Sequence, residues 1–169
     1  LLRGSVVALA CALGLALAPS ASAQAASPRR VVFVRADAPA GGDGGSWERA
    51  LSSLDQALAQ HPGASIWIAR GSYRPSSAGS ALDDGTARSW TFEVPAATSL
   101  HGGFLGNESS LEERPLPITG TVLSGDLPET PTNARGDDCF SVVTIAPGAD
   151  AVVLDGLEIR DGWAMEIQH

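Results

Sequence analysis

Two adjacent carboxylates, Asp137 and Asp138, are the residues of this chain best suited to chemistry. Paired acids can activate a water molecule and protonate a leaving sugar oxygen, and inverting hydrolases hold them about 6.5–9.5 Å apart. The same two residues also fit the end of a polar loop, because the apolar run 140–145 that follows favours a strand. We therefore assign no catalytic residue, and Asp137 and Asp138 are the candidates for an enzymatic role.

Three further acids, Asp126, Asp155 and Asp161, are candidates for a Ca²⁺ site. Calcium-assisted cleavage of a polysaccharide would use such carboxylates as ligands and an arginine, here Arg160, as the base. Ca²⁺ takes about six to eight oxygen ligands from converging groups, whereas each of these acids lies next to a glycine and is typical of a turn. We predict turn caps, no metal and no cofactor, with Ca²⁺ as the one alternative.

The tryptophans offer large apolar faces that can stack on sugar rings. Trp67 and Trp90 lie in apolar strand-like runs, which favours a place in the core. Trp47 precedes the predicted helix and is expected to pack it onto the first strands. Trp163 follows a turn and is expected at the surface, so it is the candidate ligand-binding residue.

The first 23 residues have the composition of a cleaved secretory signal. Arg3 provides a short basic region, residues 6–18 are apolar, and the small residues Ala21 and Ala23 match a signal-peptidase site. The apolar run is shorter than the ~20 residues that span a bilayer, and no later segment approaches that length. We predict cleavage after Ala23, with no membrane span in the mature chain.

The mature chain is acidic. Removal of Arg3, the one charged residue of the signal, changes the formal net charge from −8 to −9. An acidic surface repels nucleic acid and anionic lipid, which argues against both as partners. Cys139 is the one cysteine left after cleavage, so an internal disulfide is excluded and packing must hold the fold.

Short strands between glycine-rich loops make up most of the predicted structure. The helix is expected to begin at Ser53, which forms a capping box with Gln56, and to end at 61–63. Apolar residues from Ala50 to Leu58 follow helical spacing. Strands are expected at 31–34, 66–69, 90–94, near 100, and at 121–123, 139–145 and 152–159. In the last segment, two short β-branched runs joined through Asp155 and Gly156 are expected to turn a corner.

Apolar positions recur at intervals of 22 residues, from Ile68 to Trp90, from Leu100 to Val122 and from Val122 to Thr144. A period in the low twenties is typical of a β-solenoid. A β-sandwich also has short strands between glycine-rich turns. One early helix followed only by strands favours the solenoid, because a solenoid needs a covered end.

Several motifs resemble, in order, the start of right-handed parallel β-helix proteins of the pectate-lyase-like superfamily. They are Val32-Phe-Val34, Gly42-Asp-Gly44, Ser46-Trp47, 53–58, 66–73, 102–108, Ser124-Gly-Asp126 and 153–159. The resemblance covers 31–162 and implies an all-β, right-handed parallel β-helix (solenoid) with one N-terminal capping α-helix. It looks most like large secreted or surface-attached proteins of bacteria, which continue for more coils. It therefore implies a signal peptide at 1–23, a polar lead at 24–30, and at 31–169 the cap and first coils of a β-helix truncated at the C-terminus.

The segment 136–139, Gly-Asp-Asp-Cys, also resembles one in β-helix polygalacturonases, where the paired carboxylates are catalytic. The companions of that family are missing from the sequence: there is no Asn-Thr-Asp upstream, no His-Gly in the following coil and no Arg-Ile-Lys. We therefore expect a secreted or cell-surface, non-enzymatic protein with an adhesion or glycan-contact role. Its expected partner is an extracellular polysaccharide or a cell-surface glycan. The alternative is a polysaccharide lyase or polygalacturonase-like glycoside hydrolase, and the third is a non-functional truncated remnant.

Overall fold

The computed structural model describes residues 29–79, 85–127 and 138–163. The predicted signal peptide, most of the polar lead and Asp137 lie outside these ranges. Within them the chain consists mainly of strands, with one α-helix, and the strands form parallel sheets. The elements are β1 Val31–Val34, α1 Leu54–Gln60, β2 Ser65–Ala69, β3 Gly71–Tyr73, β4 Phe92–Val94, β5 Ser99–Phe104, β6 Thr121–Ser124, β7 Val143–Ile145, β8 Val153–Asp155 and β9 Glu158–Arg160, with 3₁₀ turns at Trp47–Arg49, Ala87–Ser89 and Leu111–Glu113.

The strands of the described ranges belong to three sheets. Sheet A has the order β1-β2-β5-β8, sheet B the order β3-β6-β9, and sheet C pairs β4 with β7. Every pairing within these sheets is parallel. From β2 onward the chain enters sheets A, B and C in that order and then repeats the order, so neighbouring strands of one sheet come from successive passes of the chain.

Successive passes differ in length. Val31 pairs with Ser65, 34 positions later, whereas the interval between partners rises to 54 positions from β5 to β8. The 22-residue interval is therefore wrong as the length of a pass. Leu100 and Val122, which are 22 positions apart, lie in sheets A and B. Loops of unequal length join the strands, so the sequence carries no constant period.

The predicted start of the helix is confirmed. The hydroxyl oxygen of Ser53 accepts the backbone N–H of Gln56 at 3.2 Å and caps α1. Ala50 and Leu51 share the helical spacing but precede the helix, and Leu51 instead bridges Val34 of β1 in parallel. Helix α1 packs against β1 and β4 through buried side chains at helical spacing, namely Leu54, Ala57 and Leu58.

The predicted corner within 152–159 is confirmed, because this segment forms two strands in different sheets. Gly156 has a φ of 68°, a left-handed conformation that favours glycine, and it turns the chain from β8 in sheet A to β9 in sheet B. The consecutive strands β8 and β9 are joined through Asp155 and Gly156 and thus form a corner between sheets A and B. The predicted strand at 139–145 is shorter than expected, because only Val143–Ile145 pairs in a sheet.

Both faces of sheet A carry packed side chains along β1, β2 and β5. Alternate residues of its strands, such as Val32, Ile66 and Leu100, are fully buried in the main core. The opposite face carries an aromatic cluster in which Trp67 stacks on Phe104 with ring centroids 4.8 Å apart. The remaining aromatic members of this cluster are Phe33 and Trp47.

The predicted places of the tryptophans are confirmed in part. Trp67 is buried, and Trp90 is half-buried against the main core. Trp47 packs on the first strands as expected, but it does so in the aromatic cluster, whereas the buried side chains of α1 belong to the main core. Its ring lies 4.7 Å from that of Phe33 in the aromatic cluster, and its indole N–H donates to the backbone oxygen of Glu108 at 2.9 Å.

Candidate functional site

Asp138, the described member of the predicted acid pair, lies beside a buried thiol. Its backbone oxygen accepts the Nε–H of Arg88 at 3.3 Å. The backbone oxygen of the next residue, Cys139, accepts a hydrogen bond from the backbone N–H of Trp163 at 2.8 Å. Burial raises the pKa of the Cys139 thiol to about 11, which keeps it protonated and unreactive near neutral pH. Because Asp137 lies outside the described residues, the acid pair itself is not tested.

Trp163 lies at the surface, as the sequence predicts, with 37% of its area exposed. Its backbone oxygen is 3.5 Å from an Nη nitrogen of Arg88, and the guanidinium of Arg88 lies 4.4 Å from the ring centroid of Phe140. A cation over an aromatic face is favourable and holds both groups in place. The other three tryptophans are buried or half-buried, so they do not form an exposed platform with Trp163.

The three acids considered for Ca²⁺ are separately paired with arginines. Asp126 lies 3.1 Å from Arg74, and Asp155 lies 2.8 Å from Arg114. A carboxylate oxygen of Asp161 lies 3.4 Å from Nε of Arg160, and the same oxygen accepts a hydrogen bond from the hydroxyl of Ser124 at 2.7 Å. In the described ranges, no group of three His, Cys, Asp or Glu side chains has the arrangement of metal ligands.

A groove lies between α1, β4 and the segment 76–79. It encloses about 280 Å³ and combines a few polar groups with an apolar wall, which is the usual composition of a small-ligand site. Its lining includes Asp55, Leu58, Pro62, Ser77, Thr91 and Glu93.

Hydrogen bonds and a short strand bridge hold the wall of the groove formed by the segment 76–79. One carboxylate oxygen of Asp55 accepts both the backbone N–H and the hydroxyl of Ser76, at 3.0 and 2.8 Å. Ala78 forms an antiparallel bridge with Trp90, and a side chain at Gly79 would collide with Thr91. The segment 76–79 therefore lies fixed between the helix and the residues that lead into β4.

Asp55 is the perturbed titratable group of this groove. Burial raises its pKa above the ordinary carboxyl value, and the hydrogen bonds from Ser76 offset that effect only in part. Glu93 lines the same groove from β4. Two carboxylates beside hydroxyl and apolar groups can accept hydrogen bonds from a ligand that carries several hydroxyls. The sequence analysis did not predict the groove, because its lining residues lie up to 91 positions apart, from Asp55 to Ala146.

A second cluster, His101, Asp155 and Arg114, lies on the outer face of sheet A. Register pairs His101 of β5 with Asp155 of β8, and Nδ1 of the imidazole lies 3.3 Å from a carboxylate oxygen of Asp155. The same oxygen is 2.8 Å from an Nη of Arg114. Arg114 also donates to the backbone oxygens of Leu111 and Gly102, at 3.0 and 3.2 Å.

The charge on Asp155 is stabilised by this cluster. Burial works against the ionised form, but hydrogen bonds from Arg114 and His101 outweigh it and hold the pKa of Asp155 below its ordinary value. A carboxylate on Nδ1 orients an imidazole and leaves Nε2 as its reactive nitrogen. The hydroxyl of Ser99, two residues before His101, instead accepts a hydrogen bond from an Nη–H of Arg29 at 2.9 Å. The cluster thus provides an oriented histidine, but the contacts described here for His101, Asp155 and Arg114 include no nucleophilic side chain.

No family model matches this sequence, and no curated protein or solved structure matches it either. The resemblance to β-helix proteins therefore stays a prediction. None of the helices in the described ranges is long and apolar enough to cross a membrane.

Proposed function

We propose that this chain is a secreted or cell-surface parallel β-helix protein that contacts extracellular glycan, without catalysis, through the groove between α1 and β4. The fold part of the proposal rests on the strand order. A chain that enters three parallel sheets in a repeated order winds as a β-helix does. Parallel crossovers within one sheet are right-handed in nearly all proteins, which supports the right-handed form. Helix α1, packed on the first strand of sheet A, then serves as the N-terminal cap.

The groove is the observation that carries the glycan-contact role. Sugars present both hydroxyls and apolar ring faces, so their sites combine acceptor groups with apolar walls. Asp55 and Glu93 supply carboxylate acceptors, while Leu58 and Pro62 contribute apolar surface. The enclosed volume suits a single sugar residue of a longer chain, with the rest of the polymer extending over the surface.

The charges of the groove restrict the class of glycan. Two carboxylates in one groove, on a chain with a net charge of −8, repel a polyanion such as polygalacturonate. An uncharged or amino-bearing polysaccharide avoids that repulsion and can donate hydroxyl or ammonium hydrogens to the carboxylates. The proposed ligand is therefore a neutral or amino-sugar glycan.

Binding of soluble glycans by the full chain tests this function. Titration calorimetry with mannan, β-glucan and chitosan oligosaccharides should reveal binding by at least one, and polygalacturonate should bind more weakly. Asp55→Asn and Glu93→Gln keep the side-chain shape but remove the charge, and each should weaken binding by about 10-fold, since a charged hydrogen bond contributes about 1.5–3 kcal/mol. The matched control is Asp150→Asn, which removes an exposed carboxylate outside the groove lining.

Two outcomes contradict the proposal. Absence of binding to every glycan, or equal loss of binding in the groove variants and the control, would exclude the groove as the contact site. Release of reducing sugars or unsaturated products during the titration would support the second candidate, a polysaccharide-cleaving enzyme. The oriented pair His101 and Asp155 favours that candidate, and His101→Gln would then abolish the release.

A further inference from the structure

The strands β7, β8 and β9 form one continuous edge at the end of the described structure, referred to below as the open edge. Each of them is the last strand of its sheet within the described ranges. An edge strand presents backbone N–H and C=O groups to any strand that can pair with it. Within the described ranges, these last strands of the three sheets therefore lie on the same side of the structure.

The open edge exposes side chains that continue the main core. Partners in a parallel sheet point to the same face. Leu100 is fully buried, but its partner Leu154 is 40% exposed. Leu123 is fully buried, and its partner Ile159 is 47% exposed. In sheet C, likewise, Val94 is fully buried and its partner Ile145 is 50% exposed.

These exposed side chains surround a hollow rather than a flat surface. Ile145, Leu154 and Ile159 line a depression of about 560 Å³, together with Val142 and Val143. A contiguous apolar surface of this kind on a soluble domain marks an interaction site. It needs an occupant that supplies both apolar side chains and strand edges.

The charges on β9 are arranged to pair with themselves. Glu158 and Arg160 flank Ile159, their charged groups lie 3.7 Å apart within the strand, and their side chains are 59% and 53% exposed. When two copies of this strand run antiparallel about a two-fold axis at Ile159, Glu158 of each copy lies opposite Arg160 of the other. Opposite charges directly across an antiparallel pair are stabilising, whereas parallel in-register pairing would place like charges side by side.

We propose that the open edge binds a second copy of this chain in a two-fold dimer, with β9 of each copy antiparallel to β9 of the other. The core residues Ile145, Leu154 and Ile159 of the two copies then cover one another, and two charge pairs fix the register. A two-fold contact is self-complementary and closes at two copies. The proposal rests on the sheet register and strand edges and does not depend on the glycan-contact role.

Charge exchange between two variants tests the dimer. Sedimentation equilibrium of the full chain should show a monomer–dimer equilibrium, with a Kd of about 1–100 μM because the face is small. Glu158→Arg places arginine opposite arginine, and Arg160→Glu places glutamate opposite glutamate. Each variant alone should raise the Kd at least about 10-fold, since like charges directly opposite are destabilising. An equimolar mixture should form a heterodimer, because both cross-strand pairs are again of opposite charge.

A matched control separates the open edge from the rest of the surface. Glu112→Arg reverses an exposed acid of the 3₁₀ turn Leu111–Glu113, away from the open edge, and should leave the Kd unchanged. Circular dichroism melts should show that all three variants fold, since the exchanged side chains are exposed. A monomer at every concentration would overturn the proposal. Large open-ended assemblies, or a dimer that the single variants and the mixture leave unchanged, would overturn it equally.

Discussion

Tyr73 joins the start of sheet B to the segment that follows β1. Its hydroxyl donates to the backbone oxygen of Ala69 at 2.9 Å and accepts the backbone N–H of Ala36 at 3.2 Å. Burial raises the pKa of Tyr73 to about 12, so the hydroxyl keeps its proton and its role as a donor at every physiological pH. A single side chain thus satisfies two backbone groups that lie 33 positions apart in the sequence.

Tyr73→Phe should lower the free energy of unfolding by about 1–3 kcal/mol, because it removes two hydrogen bonds that each contribute about 0.5–1.5 kcal/mol. Urea unfolding followed by tryptophan fluorescence measures this change. The control is Ser72→Ala, since Ser72 is exposed on the same strand. Equal stability of the two variants would show that the Tyr73 hydroxyl contributes nothing beyond its ring.

At the scale of the elements, Ser53 determines where the helix begins. Ser53→Ala removes the acceptor for the Gln56 N–H and should cost about 0.5–2 kcal/mol of stability. Ser52→Ala changes the neighbouring exposed hydroxyl and should cost less than ~0.5 kcal/mol. Chemical denaturation of both variants measures the difference. If Ser52→Ala proved the more costly change, the helix would not begin at Ser53.

Elements were predictable where the signal is local. The cap at Ser53, the strand 31–34 and the corner at Gly156 each depend on neighbouring residues, so the sequence alone locates them. Pairing was not predictable, because partner strands lie between 34 and 54 positions apart and the loops between them have no period. The pair of His101 with Asp155 exists only through that register. For the same reason, the two acids of the groove carried no signal in the sequence.

At the scale of the whole molecule, the acidity and the single cysteine of the predicted mature chain, Cys139, suit the proposed export. Cys139 is fully buried, and its raised pKa keeps the thiol out of disulfide exchange in an oxidising compartment. The predicted mature chain has a formal net charge of −9, and repulsion between like charges opposes its aggregation. Packing of the main core and the aromatic cluster therefore has to stabilise the fold, and neither depends on the redox state.

Export itself is the prediction that concerns the whole chain. Expressed in a bacterium with its first 23 residues, the protein should appear outside the cytoplasm with Gln24 as its N-terminus, which Edman sequencing and intact mass would establish. Ala23→Leu puts a large residue where the peptidase requires a small one, so it should abolish cleavage at this bond. Ala25→Leu makes the same change two residues into the mature chain and should be processed normally. Retention of the unchanged sequence in the cytoplasm, uncleaved, would contradict secretion and leave the groove without access to extracellular glycan.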